Sequence, residues 1–98
     1  IKSKNYLENI DAKDIDGLHL KLKNNLNDHE ARLELARSYI ANKDFAEAIE
    51  NLLYIIDKKK DWNQGIAKKE LLDIFTLLGD SNDLTLEGRA KLSNIIFK

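Results

Sequence analysis

LELARSYIANKDF, from Leu33 to Phe45, and KELLDIFTLLGDS, from Lys69 to Ser81, are two versions of one pattern. Leu35 aligns with Leu71, Ala36 with Leu72, Tyr39 with Phe75 and Lys43 with Gly79, each 36 residues further on. Within each stretch the apolar residues recur every three or four positions, the period of one face of a helix. Strand-like alternation is absent throughout, proline does not occur, and glycine stands only at Gly17, Gly65, Gly79 and Gly88. The chain therefore reads as all-α, built of a helical unit that repeats.

The same spacing extends outward in both directions. Ile15, Leu18, Leu22 and Leu26 fall on one face of a first helix. Asn27, followed three residues later by Glu30, is a capping-box start for a second. Its stripe is Leu35, Ala36, Tyr39 and Ile40, with Leu33 at the edge, and it stops near Asn42 and Lys43. Asp44 with Glu47 starts a third helix carrying Phe45, Ala48, Ile49, Leu52, Ile55 and Ile56 on one face. A fourth runs from about Gln64 to Leu78 with Ala67, Leu71, Ile74, Phe75 and Leu78 as its stripe, and Gly79 stops it. Asp83 caps a fifth that continues to Phe97. Residues 1–10, with Tyr6, Leu7 and Ile10, read as a linker or a truncated helix. Connections of a few residues place consecutive helices antiparallel.

Composition excludes several classes. The 98 residues suffice for one small domain, which buries roughly 60–65% of its unfolded surface. Sixteen basic and seventeen acidic residues give a net charge of −1, so no global charge steers the chain to nucleic acid or to an anionic membrane. No apolar run approaches the roughly 20 residues of a membrane span. Cysteine is absent, which removes disulfide, thiolate-metal and thiol redox chemistry from this chain and fits a cytoplasmic setting. Methionine is also absent and the chain opens at Ile1, the pattern expected of a fragment of a longer protein.

A helix-turn-helix unit with a period of about 34 residues is the tetratricopeptide repeat, and Leu35 to Ile56 resembles it closely. Leu35, Ala36, Tyr39, Asp44, Phe45, Ala48, Leu52 and Ile56 occupy its usual apolar and turn positions. Lys43 stands where a glycine is common, and Lys60 where a proline is common. Small residues such as Ala36 and Ala48 let two helices approach, and the rings of Tyr39 and Phe45 fill the space beside them. One hairpin cannot bury its face alone, so such units stack. The expected architecture is about five helices in antiparallel hairpins forming a short right-handed solenoid over residues 11–98. Its best repeat is 28–61, and a degenerate one follows at 62–98.

The run Asp61, Trp62, Asn63, then Ala67, Lys69, Leu71, Leu72 and Phe75, with Leu78–Gly79 and the closing Leu92, Ser93 and Phe97, is more specific. It is similar to the C-terminal end of bacterial thioredoxin-like co-chaperones, the chaperedoxins, over about residues 26–98. Leu84 departs from that pattern, where the family usually has proline. The resemblance implies a thioredoxin-like domain upstream and a scaffold that binds chaperonin or other chaperone machinery, or unfolded clients, in the bacterial cytoplasm. It assigns no catalytic residue, metal ligand or cofactor to this chain.

Tests for chemistry return little. DAKDIDG, from Asp11 to Gly17, invites a calcium loop, but Ala12 and Lys23 stand where that loop needs acids, so these are turn and capping acids. His19 and His29 lack zinc-like partner spacing, and no nucleophile–base grouping or phosphate loop occurs. No enzymatic activity is expected. In KKKDWNQGIAKK, Lys58 to Lys69, five lysines invite nucleic acid, yet Lys58–Lys60 end a helix where cations oppose its dipole, and Asp57, Asp61, Glu70 and Asp73 surround them. Glu30, Leu33, Arg37 and Asp73 fall on the inner face of the solenoid, where Arg37 alone suits a peptide carboxylate. On the last helix Leu86, Ala90 and Phe97 share one face, and Leu84, Leu92, Ile95 and Ile96 another. One face can pack on the fourth helix, and the other needs a cover unless both are buried inside the solenoid. The expected protein-binding residues are thus Leu92, Ile95 and Ile96, with Arg37 and Glu30. The cover is a protein partner, a second copy in a homo-oligomer, or the upstream domain.

Overall fold

The computed structural model describes residues 14–98. Their elements are α1 (Ile15–Asn24), α2 (His29–Ala41), α3 (Phe45–Lys58), a short turn (Trp62–Gly65), α4 (Ile66–Leu78) and α5 (Asp83–Ile96). The expectation for residues 1–10 lies outside the described residues.

Short polar side chains set the helix starts. Asp14 accepts from the Gly17 amide at 3.1 Å, Asp28 from Ala31 at 3.0 Å and Asn82 from Leu84 at 2.8 Å, each meeting one orphan donor of a first turn. The caps of α2 and α5 are thus Asp28 and Asn82, each one residue from the expected Asn27 and Asp83. Asp44 precedes α3 as expected but makes no side-chain cap bond. Leu26 is not on α1: the backbone turns extended at Asn25 and leaves Leu26 60% exposed.

Helix α2 lies between two apolar clusters. Its Ala31 and Leu35 join Leu18 and Leu22 of α1. Its Leu33, Ala36 and Ile40 join the larger core of α3, α4 and Leu92 of α5. This double contact puts Leu33 inside the core, not at its edge. Arg32 fixes the same region. It donates to Asn51 Oδ1 at 3.0 Å and to the Leu26 carbonyl at 3.3 Å, with its guanidinium 3.7 Å from the centre of the Tyr54 ring.

Helix α4 starts at Ile66, later than Gln64, because Asn63, Gln64 and Gly65 all take positive φ (50°, 60° and 76°) and hold the chain in a tight turn. Neither Asp61 nor Asn63 begins the helix. Trp62 is half-buried and meets His29 edge-on, ring centres 5.6 Å apart, so it joins this turn to the start of α2. Helix α5 crosses close to α4 and α3 at Gly88, where a Cβ would lie 2.6 Å from Phe75 Cε1. Lys91 bonds Glu50 at 2.6 Å and Lys98 bonds Asp57. From the first pair to the second, both segments advance seven residues, Glu50 to Asp57 along α3 and Lys91 on α5 to Lys98 just past its end, so α3 and α5 run parallel, as equivalent helices of stacked hairpins must. The fold is all-α and tetratricopeptide-like, with α2–α3 and α4–α5 as its hairpins.

Candidate functional site

The fifth helix divides its apolar residues between two environments. Gly88 sits at the closest approach to Phe75 and Ile49, and Thr85 and Leu92 are buried beside it. At 100° per residue Leu86, Ala90, Ser93 and Phe97 lie opposite Gly88, and all four are exposed, Leu86 at 54% and Phe97 at 81%. The packed face is therefore that of Leu84, Leu92, Ile95 and Ile96, and the open face is that of Leu86, Ala90 and Phe97.

This places the expected binding residues unevenly. Leu92 is in the core and has no surface to offer. Ile95 and Ile96 are half-buried, and each lines a groove. Ile95 meets Leu53 and Tyr54 in one of about 340 Å³ between α3 and α5, rimmed by Glu50, Asp57, Lys91 and Asn94. Ile96 lies with Ile56 in one of about 350 Å³ beside the Trp62–Gly65 turn.

Arg37 and Glu30 sit elsewhere. Glu30 is exposed in the first turn of α2. Arg37 already holds a carboxylate of its own chain: its Nε reaches Glu70 Oε1 and Oε2 at 3.2 and 3.1 Å, and its Nη2 also bonds Oε2. Glu70 has no exposed surface and the Arg37 side chain is 26% exposed, so this ion pair ties α2 to α4 from within the core. Asp73, on the same inner face, bonds Lys69 at 3.2 Å. Glu70 does carry a signal in the sequence. It falls three residues after Ala67 and four before Ile74, on the apolar stripe itself.

The lysine-rich stretch separates into cations with a partner among the described residues and cations without one. Lys58 lies 5.4 Å from the Tyr54 ring centre, Lys59 is 3.8 Å from Asp61, and Lys69 is bonded to Asp73. Lys60 and Lys68 are exposed. Near α1, Tyr39 shares a 2.9 Å hydrogen bond with His19 Nε2. Burial pushes the Tyr39 phenol up from its ordinary range, helped by Glu47, Asp44 and Asp16, which favours the neutral hydroxyl. Among the described residues no three His, Asp or Glu side chains gather as a metal site needs, and no helix is long and apolar enough to cross a membrane.

The Tetratricopeptide repeat family model matches residues 8–97. No curated protein and no solved structure matches the chain. Tetratricopeptide repeats are typically non-catalytic modules that bind other proteins. The matched span covers nearly the whole chain and the hairpins stack in parallel register: this chain belongs to the tetratricopeptide-repeat family.

Proposed function

We propose that the chain is the C-terminal scaffold of a thioredoxin-like co-chaperone, and that it binds chaperonin or other chaperone machinery, or unfolded clients, in the bacterial cytoplasm. The observation that carries the reading is the outer face of α5, where Leu86 and Phe97 lie open. Exposed apolar residues that share a helix face mark interaction surfaces. The Asp61-Trp62-Asn63 run and the lysine and leucines after it support the co-chaperone assignment by resemblance.

The test is capture of a chaperonin and of a chemically unfolded client by Leu86→Asp/Phe97→Asp and, separately, by Ile95→Asp/Ile96→Asp. The first pair touches only the open face, so it should weaken capture severalfold with helical content unchanged. Full capture by a folded first pair would remove this face from the function. The second pair reaches the core, so loss of helicity there is expected.

One observation favours a second reading, self-association or packing on an upstream domain. Leu86, Ala90, Ser93 and Phe97 are spaced four, three and four apart, the seam of a helix pair, with small residues at its centre. Light scattering separates the two readings: a dimer abolished by Leu86→Asp/Phe97→Asp supports self-association, and a monomer leaves the seam to a different protein.

A further inference from the structure

Five lysines crowd the stretch from Lys58 to Lys69, and three of them have partners within the fold. Lys58 rests over Tyr54, Lys59 faces Asp61, and Lys69 bonds Asp73. The remaining two, Lys60 and Lys68, come from different elements, the turn that follows α3 and the first turn of α4. Both line the same cavity of about 350 Å³. Its apolar lining is Ile56 and Ile96, and Gln64 and Asp61 complete the rim with the turn backbone. The volume is in the range that accepts a small ligand or a large side chain, about 300 Å³ and above.

We propose that this cavity is a docking site for an acidic peptide segment carrying a large apolar side chain. The apolar side chain enters against Ile56 and Ile96. Carboxylates on either side of it meet Lys60 and Lys68, neither of which forms an ion pair among the described residues. Charge complementarity of this kind sets orientation and rejects basic segments. Asp61 on the rim works against any anion, but its carboxylate faces Lys59 at 3.8 Å and is 84% exposed to water. Nucleic acid fits less well. The cavity has no aromatic ring on which a base could stack, since Trp62 packs on His29, and two phosphate-facing lysines supply little affinity at physiological salt.

The proposal rests on the reading of the chain as a protein-interaction module, and names the chemistry of one partner segment. It is tested on the 98-residue chain by fluorescence anisotropy. The probe is a dye-labelled peptide with a central Leu-Phe pair flanked by glutamates. Saturable binding is expected. Its Kd should rise by at least about tenfold in Lys60→Glu/Lys68→Glu, where both attractions become repulsions. It should be unchanged in Lys21→Glu/Lys23→Glu, which changes net charge equally on α1. The same peptide with alanines in place of Leu-Phe should not bind. The proposal is overturned by absent binding, by equal loss in both variants, by equal binding of the alanine peptide, or by tighter binding of duplex DNA through the same lysines. The outer-face substitutions on α5 do not touch this cavity. Capture lost through them, with the peptide result negative, leaves the module reading standing and removes only this site.

Discussion

At the scale of single residues, Lys43 shows how the repeat constrains the backbone more tightly than the side chain. Its φ is +64°, the left-handed region that a side chain enters at a cost of about 1 kcal/mol. The hydrogen bonds explain why it is held there. Its amide donates to the Ile40 carbonyl at 2.9 Å, and that of Asp44 to Tyr39 at 2.8 Å, the paired bonds of a Schellman stop. Gly79, its counterpart 36 residues on, also has positive φ, at +96°. Lys43→Gly should therefore stabilise the fold by roughly 0.5–1 kcal/mol, seen as a higher denaturant midpoint at constant slope. An unchanged or lower midpoint would mean that the left-handed turn is not strained. The sequence placed this stop correctly, because glycine at Gly79 marked the position for both repeats. It placed the caps of α2 and α5 one residue off, because Asn27–Asp28 and Asn82–Asp83 are each two adjacent capping residues. Only the backbone path selects between them.

At the scale of elements, α2 and α4 are joined by a charge inside the core. Glu70 is fully buried and Arg37 is its partner, so removing the arginine strands a carboxylate away from water. Arg37→Met should destabilise by about 3–5 kcal/mol, whereas Arg37→Met/Glu70→Leu should restore stability to near the original. Thermal melts of the two variants and of Glu70→Leu alone check the coupling. A single Arg37→Met with unaltered melting would show that water reaches Glu70. The helical stripes of α3 and α4 were readable because each helix buries one face. Helix α2 was read less well, since α1 on one side and α3 on the other bury both its faces, and Leu33 then enters the core. Helix α5 offered two apolar faces, and its composition did not rank them. Gly88 does: a helix can approach Phe75 this closely only where it lacks a Cβ, so the face of Gly88 goes inward and that of Leu86 and Phe97 outward. The partner of Arg37 went unread because one buried acid on an apolar stripe looks like an interruption until the arginine opposite it is placed.

At the scale of the whole molecule, the stacking of the two hairpins carries a pH dependence with opposite signs at its two limbs. The hydrogen bond from Lys98 holds the Asp57 carboxyl below its ordinary 3.8. The unfolded chain therefore takes up that proton first, and the contribution of the pair, present above pH 3.8, is lost as pH falls through the folded value. The hydrogen bond to Glu50 holds Lys91 above its ordinary 10.5. Its contribution is present below pH 10.5 and is lost as pH rises through the folded value. Both pairs are exposed, so salt should weaken them. Denaturant midpoints across the pH range should show Lys98→Met flattening only the acid fall and Lys91→Met only the alkaline one. Neither should release α5 at neutral pH, because Leu92 in the core and the Gly88–Phe75 contact hold that helix independently of the charges. Helical content should stay constant in both variants at pH 7. A loss of helicity on removing either lysine would instead mean that the ion pairs, and not the packed face, dock the last helix. Its open apolar strip would then be presented to partners only while the two pairs remain intact.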